Sequence, residues 1–342
     1  MIKEIQGLRA IAILMVLFIH IEAIGLGELQ QYFDETRKLF QTSTGVEIFF
    51  VLAGYFMMHS LSKFDSENKY NNILFFFVKK FKRLAPAMYF WMFVALLMST
   101  FGRGELWLEP LLMVKKFFST ILFLRNFEEA INMSWFGLYW AISLEFQVFT
   151  IFSVIYFIFG RRNVIIISII ICIIMIFYRP GGNYTWLFRC DSILYGAILY
   201  EFVKKLDKNK FQKIMCCHWF WKMTISIVLF LILSSDLIIY GDYPNFKITI
   251  SSITACVMVL LALSGNNYFY TDIKCLKSVI DWLASRSYSI FCCHISAYFL
   301  IREFLISSNM ISQILCVLSM LFFSELTYRY IENLSEKNLS RR

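Results

Sequence analysis

Apolar runs of roughly membrane-crossing length recur along the 342-residue chain, separated by short stretches in which the charged residues collect. About 20 apolar residues, each rising about 1.5 Å in a helix, cross the bilayer core. By that ruler about ten spans are predicted, over residues 7–26, 44–62, 84–101, 136–159, 163–178, 187–203, 222–240, 246–264, 282–305 and 309–331. A further apolar patch at 111–124 is interrupted by Lys115 and Lys116, so it is predicted to lie at an interface or to re-enter. The pattern predicts an all-α fold, a polytopic helical bundle with about ten transmembrane helices.

Composition strengthens this picture. The chain is 59% hydrophobic, with 37 Phe and only 4 Pro, well beyond the apolar share of a soluble globular domain. The lack of a long polar block predicts one integral-membrane domain over 1–342, with no appended soluble domain and no linker. The first apolar run lacks a small-residue cleavage site and is expected to remain as an anchor.

A net charge of +9 would suggest nucleic acid in a soluble protein, but here the basic residues chiefly mark the cytoplasmic side, and no nucleic-acid partner is expected. With the N-terminus inside, about two-thirds of the 33 Lys and Arg fall on that side, including Lys79–Arg83, Arg161, Arg162, Lys204–Lys213, Lys337, Arg341 and Arg342. An even number of spans then returns the C-terminus to the cytoplasm, so both termini are predicted to be cytoplasmic. The outer side receives "GELQQYFDETRK" and the longer "FGRGELWLEPLLMVKKFFSTILFLRNFEEAINMS", which together suggest a vestibule. The 9 Cys show no metal-ligand spacing, and no metal site is expected.

Ionisable groups at membrane depth are costly and face a bundle interior or an aqueous cavity. Arg9 and His20 lie eleven residues apart, about 1100° of helix, which is three turns plus about 20°; they share a face and are separated by about 16 Å. That span suits a long ligand lying between the cytoplasmic surface and the membrane interior. Glu47 enters with the second span at a depth similar to His20, either as a carboxylate that sets the tautomer or basicity of the imidazole or as an interfacial residue in headgroup water. Glu145 lies about 13 Å into the fourth span, as a functional carboxylate or as half of a buried pair with Arg189. Arg189 and Asp191 open the sixth span, and His294 is central in the ninth. Lys79, Lys80, Lys82 and Arg83 enter the third span from the same side as Arg9, either against anionic lipid headgroups or as a grip on a phosphorylated ligand.

This ordered series resembles the membrane acyltransferase type 3 family, the O-acetylases of bacterial envelope glycans. Arg9 and His20 match the family's Arg-x10-His pair; "GVEIFFVLAGYFM", "KKFKRLAP", "WAISLEFQVF", "SYSIFCCH" and "YRYIENL" are similar to its later motifs, in the family's order over nearly the whole chain. Glu47 stands where the family has Asp, Ala53 where it has Ser, Lys79 and Lys80 where it has Arg, and Leu334 where it has Pro. Phe146 removes a second acidic residue and leaves Glu145 as the match. Lys offers a point charge where Arg offers a planar fork, so bidentate phosphate binding rests on Arg83.

The resemblance implies a multi-pass protein of the bacterial cytoplasmic (inner) membrane among membrane lipids. It also implies no bound cofactor, acetyl-CoA or another acyl-CoA as co-substrate, and a glycan or lipid-linked sugar as acceptor on the outer side. O-antigen, capsule and exopolysaccharide all suit it. On that reading Arg9, Lys79, Lys80, Lys82 and Arg83 hold the donor. His20, with Glu145, carries the chemistry as general base or acyl carrier, and Glu47, Arg189, Asp191 and His294 support it or the acceptor. A proton-coupled transporter or flippase would also bury His, Glu and Arg in a bundle, though visible repeats and Gly/Pro-broken helix pairs are lacking. A non-catalytic partner in polysaccharide assembly would ignore acyl-CoA.

Overall fold

The computed structural model describes residues 3–40, 42–64, 69–102, 106–180, 184–234, 244–305 and 309–335. Among them every regular element is helical. The first half of the chain supplies α1 (Lys3–Ile19), α2 (Gln30–Leu39), α3 (Gly45–Leu61), α4 (Lys69–Phe101), α5 (Pro110–Ile121), α6 (Arg125–Ile131) and α7 (Trp140–Phe159). The second half supplies α8 (Arg161–Phe177), α9 (Thr185–Phe188), α10 (Asp191–Lys205), α11 (Lys208–Ile214), α12 (Trp219–Ser234), α13 (Pro244–Leu263), α14 (Lys274–Phe304) and α15 (Met310–Thr327).

Five described helical stretches are long and apolar enough to cross a membrane, Thr42–Leu61, Tyr70–Phe101, Trp135–Phe159, Phe246–Leu263 and Met310–Ser335. A sixth arises if α11 and α12, which meet at 92°, count as one span. The chain is thus a multi-pass helical membrane protein. Other predicted spans coincide with shorter or more charged helices. The first and fifth map to α1 and α8 at 17 residues each, the sixth to α10 at 15, and the ninth to the 31-residue α14, which carries Asp281, Arg286 and Arg302. The end of the predicted span 222–240, Arg103 to Glu105 of the outer loop, and the basic tail with Lys337, Arg341 and Arg342 lie outside the described residues.

Two contacts between helices set the frame for the polar groups. Small residues let helix backbones approach in a membrane, and α3 packs on α10 in this way. A Cβ on Gly54 would fall 1.8 Å from the Ile193 carbonyl oxygen, and one on Gly196 would fall 2.1 Å from that of Val51. On the other side of the bundle α14 runs between α1, α4 and α15, buried from Ser289 to Phe299. It is the spine along which the interior polar side chains are arranged.

α4 carries Pro86 inside the helix. Proline has no N–H to offer the carbonyl four residues back, and that carbonyl, on Lys82, accepts instead from the Ser335 hydroxyl. The patch at 111–124 is α5, which packs on α4. Lys116 turns inward to Glu128 at 3.0 Å and to the Asn132 carbonyl at 2.6 Å, while Leu111, Phe118 and Leu122 remain exposed. Of the two lysines that interrupt the apolar run, Lys116 therefore faces the protein, while Lys115 is exposed on the outward side of α5.

Candidate active site

α1 ends at Ile19, and His20 occupies the turn that follows, leading into a short 3-10 helix over Ile21–Ile24. Both ionisable residues of the first span face α14. The Arg9 guanidinium donates to the Ser287 hydroxyl at 2.9 Å, and the His20 ring meets His294 with centroids 5.1 Å apart. The shared face read from the spacing is therefore the face against α14. Arg9 reaches inward along that helix. Ser287 and His294 are seven residues apart, about 10 Å of helix rise, so the guanidinium stands closer to the imidazoles than the separation of about 16 Å along α1 suggests.

Hydrogen bonding defines the two rings. Carbonyl oxygens only accept, so a ring nitrogen facing one carries its proton. His20 Nδ1 lies 2.9 Å from the Val16 carbonyl. His294 Nδ1 lies 3.1 Å and 3.0 Å from the carbonyls of Ile290 and Phe291. Both neutral rings are therefore Nδ1–H tautomers. His294 Nε2 keeps its lone pair and, 3.3 Å from His20 Nδ1, accepts a share of that proton. The His20 lone pair is left on Nε2, which makes no hydrogen bond among the described residues. His294 is fully buried, and Tyr298 stacks edge-on against it, with centroids 6.1 Å apart.

The carboxylates are arranged differently from the sequence expectation. Glu47 is fully buried but does not approach His20; Arg189 Nε donates to it at 2.5 Å, and the Ser192 hydroxyl donates to its other oxygen. The reason lies on α3. Gly45 abuts α1, where a Cβ would fall 2.7 Å from the Met15 Cβ; two residues on, about 200° round the helix, Glu47 faces α10. Asp191 is held by Arg179 through bonds of 3.2 Å and 2.6 Å. Glu47, Arg189, Asp191 and Arg179 thus supply two guanidiniums to two carboxylates in a buried cluster away from the histidines.

Glu145 neither reaches Arg189 nor contacts His20; the charges that act on it are those of Lys80 and Arg83. Lys80 Nζ lies 3.7 Å over the Phe149 ring, one turn beyond Glu145 on α7. The structure therefore joins a donor-side cation to a residue expected to serve the imidazole. Lys79 and Arg83 are exposed, while Lys80 and Lys82 are half-buried. Glu332, near the end of the last span, accepts from the Ser289 hydroxyl at 2.7 Å.

Three groups escaped the sequence reading. Arg179 stands next to Pro180 between spans and reads as a flanking cation. Ser192 and Ser287 carry no charge to mark them. A cavity of about 360 Å³, lined by Ile11, Phe230, Met258 and Tyr268 among others, contains none of the candidate groups. Ile11 is two residues from Arg9, so that cavity lies on another flank of α1.

The site therefore has a lone-pair nitrogen at one end, a guanidinium about 10 Å away along α14, and a lysine–arginine–glutamate set on α4 and α7. An Acyltransferase domain model matches residues 2–329. The chain is 23% identical over 367 residues to the peptidoglycan O-acetyltransferase OatA of Listeria monocytogenes, covering 98% of this chain and 56% of that protein. It is 24% identical over 366 residues to the O-acetyltransferase OatA of Staphylococcus aureus, covering 96% of this chain and 56% of that protein. A putative O-acetyltransferase of Staphylococcus aureus is 23% identical over 370 residues, again with 56% of its length covered. The chain thus spans little more than half the length of these relatives. No solved structure matches.

Proposed function

The chain belongs to the membrane acyltransferase family whose domain model spans it, and from that premise we propose that it moves an acetyl group from cytoplasmic acetyl-CoA to a hydroxyl of an envelope glycan. The proposed setting is the bacterial cytoplasmic membrane, with about ten spans and both termini inside. The observation that carries the proposal is the His20–His294 pair. It leaves one lone pair, on His20 Nε2, at the end of α1 remote from Arg9.

The donor enters from the Arg9 end. Arg83 and the neighbouring lysines carry the charge that suits the phosphates of CoA, and the thioester end extends along α14 towards His20. His20 Nε2 takes the proton of the acceptor hydroxyl as that oxygen attacks the thioester carbonyl. The carbon–sulfur bond then breaks, and the departing CoA sulfur takes the proton from the imidazolium. The products are the O-acetyl ester and CoA thiol. Glu145 balances Lys80 and Arg83 on the donor side in this scheme. Two of the relatives are named for acetylation in general and one for peptidoglycan, which makes wall glycan the acceptor to test first.

The test is purified protein with radiolabelled acetyl-CoA and wall-glycan fragments. The expected result is ester-linked label on the glycan by the wild type and none by folded His20→Ala. Label retained on the protein before acceptor is added would move the chemistry to an acyl-imidazole on the same nitrogen. Absence of turnover by the wild type would return the chain to the transporter reading.

A further inference from the structure

The turn directly after His20 carries Glu22, and Glu22 is ion-paired to Arg37 of α2. α2 is a polar ten-residue helix whose buried residue is Phe33. Phe33 sits on Phe18 with ring centroids 5.3 Å apart. Phe18 and Glu22 are four residues apart, as are Phe33 and Arg37, so two paired contacts seat α2 beside the histidine. The field of Arg37 is felt at the His20 imidazole. A solvent-exposed ion pair by itself contributes little stability, and this one leaves its side chains 45% and 22% accessible. Hydrogen-bonding groups of both signs therefore remain accessible beside the turn that holds His20.

The stretch of α14 that meets this turn also carries aromatic contacts. Arg302 of α14 donates to the Ala23 carbonyl at 3.1 Å, pinning the turn that holds Glu22. One helical turn back on α14, Phe299 packs against Trp135 with centroids 6.2 Å apart, and Trp135 keeps 41% of its surface exposed. Glu303 is fixed by the Trp107 indole N–H at 3.1 Å. A guanidinium beside a carboxylate matches adjacent hydroxyl or amide groups, and an exposed indole offers a flat face to the C–H side of a sugar ring.

We propose that Glu22, Arg37 and Trp135 form the acceptor subsite, in which the ion pair hydrogen-bonds the substituents of a hexose whose ring stacks on Trp135 and whose hydroxyl meets His20 Nε2. This subsite rests on the acetyl-transfer reading above, because it is the acceptor of that reaction that it would hold.

The test uses chromosomal variants in the native host, read by base-labile acetate on the envelope glycan and by the yield and melting temperature of the extracted full chain. Arg37→Ala and Trp135→Ala are expected to fold normally and to lower glycan acetate by about tenfold or more, the scale of losing one charge-assisted contact. The swap Glu22→Arg with Arg37→Glu restores a pair of opposite charges, so a merely structural pair would regain full acetylation in it. A subsite contact predicts that acetate stays low in the swap while the fold is kept. Recovery by the swap, or unchanged acetate in both Arg37→Ala and Trp135→Ala, would overturn the subsite. His20→Ala in the same series separates the two ideas: undiminished acetate there, or none in the wild type, overturns the acetyl-transfer reading itself.

Discussion

Replacing His294 by Ala separates a positioning role from a chemical one. Two acceptors share the His20 Nδ1–H, the Val16 carbonyl at 2.9 Å and His294 Nε2 at 3.3 Å. Removing His294 leaves the closer acceptor in place, so the tautomer that puts the lone pair on Nε2 survives. What is lost is the second anchor of the ring. By analogy with the partners that orient metal-bound imidazoles, worth about 10- to 100-fold, the loss is about 1.4–2.7 kcal/mol of barrier. Loss of the general base itself costs about 10²- to 10⁴-fold. His294→Ala should therefore lie between wild type and His20→Ala. Because His294 is fully buried, the truncation also leaves a cavity, costing about 2–5 kcal/mol of stability. His294→Gln fills more of that space and offers an amide oxygen to the same proton, so it should recover part of the rate. The assay is initial CoA release from acetyl-CoA by detergent-purified variants, with melting temperature measured on the same samples. His294→Ala at the wild-type rate would refute positioning, and His294→Ala as inactive as His20→Ala while folded would make His294 a direct proton carrier.

Three further outcomes follow from the packing and the charges. Gly54→Ala would drive a Cβ to 1.8 Å from the Ile193 carbonyl oxygen, so folded yield should collapse or the melting temperature fall steeply; a stable Gly54→Ala protein would contradict the α3–α10 contact. Arg189→Ala strands the buried Glu47 carboxylate and should cost about 3–5 kcal/mol, read as lost thermal stability, whereas a turnover loss at unchanged stability would make Arg189 part of the chemistry. Arg83→Ala should raise the KM for acetyl-CoA by about tenfold with a smaller change in kcat, in a salt-sensitive way; an unchanged KM would remove Arg83 from donor binding.

The sequence and the structure agree where one helix, α1 with the turn that ends it, carries the relation. Arg9 and His20 share a face because eleven residues return a helix to nearly the same azimuth, and both side chains do face α14. Relations between helices were not legible in the same way. Depth along a span can be counted, which is how Glu47 reads as a neighbour of His20. Its direction is decided by the packing of Gly45 against Met15, and that turns the carboxylate to Arg189. Glu145 likewise comes under the charges of Lys80 and Arg83 because α4 packs on α7, a relation that no spacing within either segment contains. Lys116 illustrates the opposite case. It reads as a break in an apolar run, yet its side chain turns inward to Glu128, and of the two lysines only Lys115 is left on the exposed side of α5. Arg179 was hidden because its partner, Asp191, lies 12 residues on, beyond the short helix α9.

In the proposed reaction, acetyl from a donor on one side of the membrane reaches an acceptor on the other through His20. Proteoliposomes with acetyl-labelled acetyl-CoA confined to the cytoplasmic face of the protein and glycan confined to the outer face test it directly. The account predicts ester-linked label on the glycan with wild-type protein, intact labelled acetyl-CoA confined to its own side, and no glycan label with His20→Ala. Equal labelling of the glycan by wild type and His20→Ala, or passage of intact acetyl-CoA across the membrane, would contradict it.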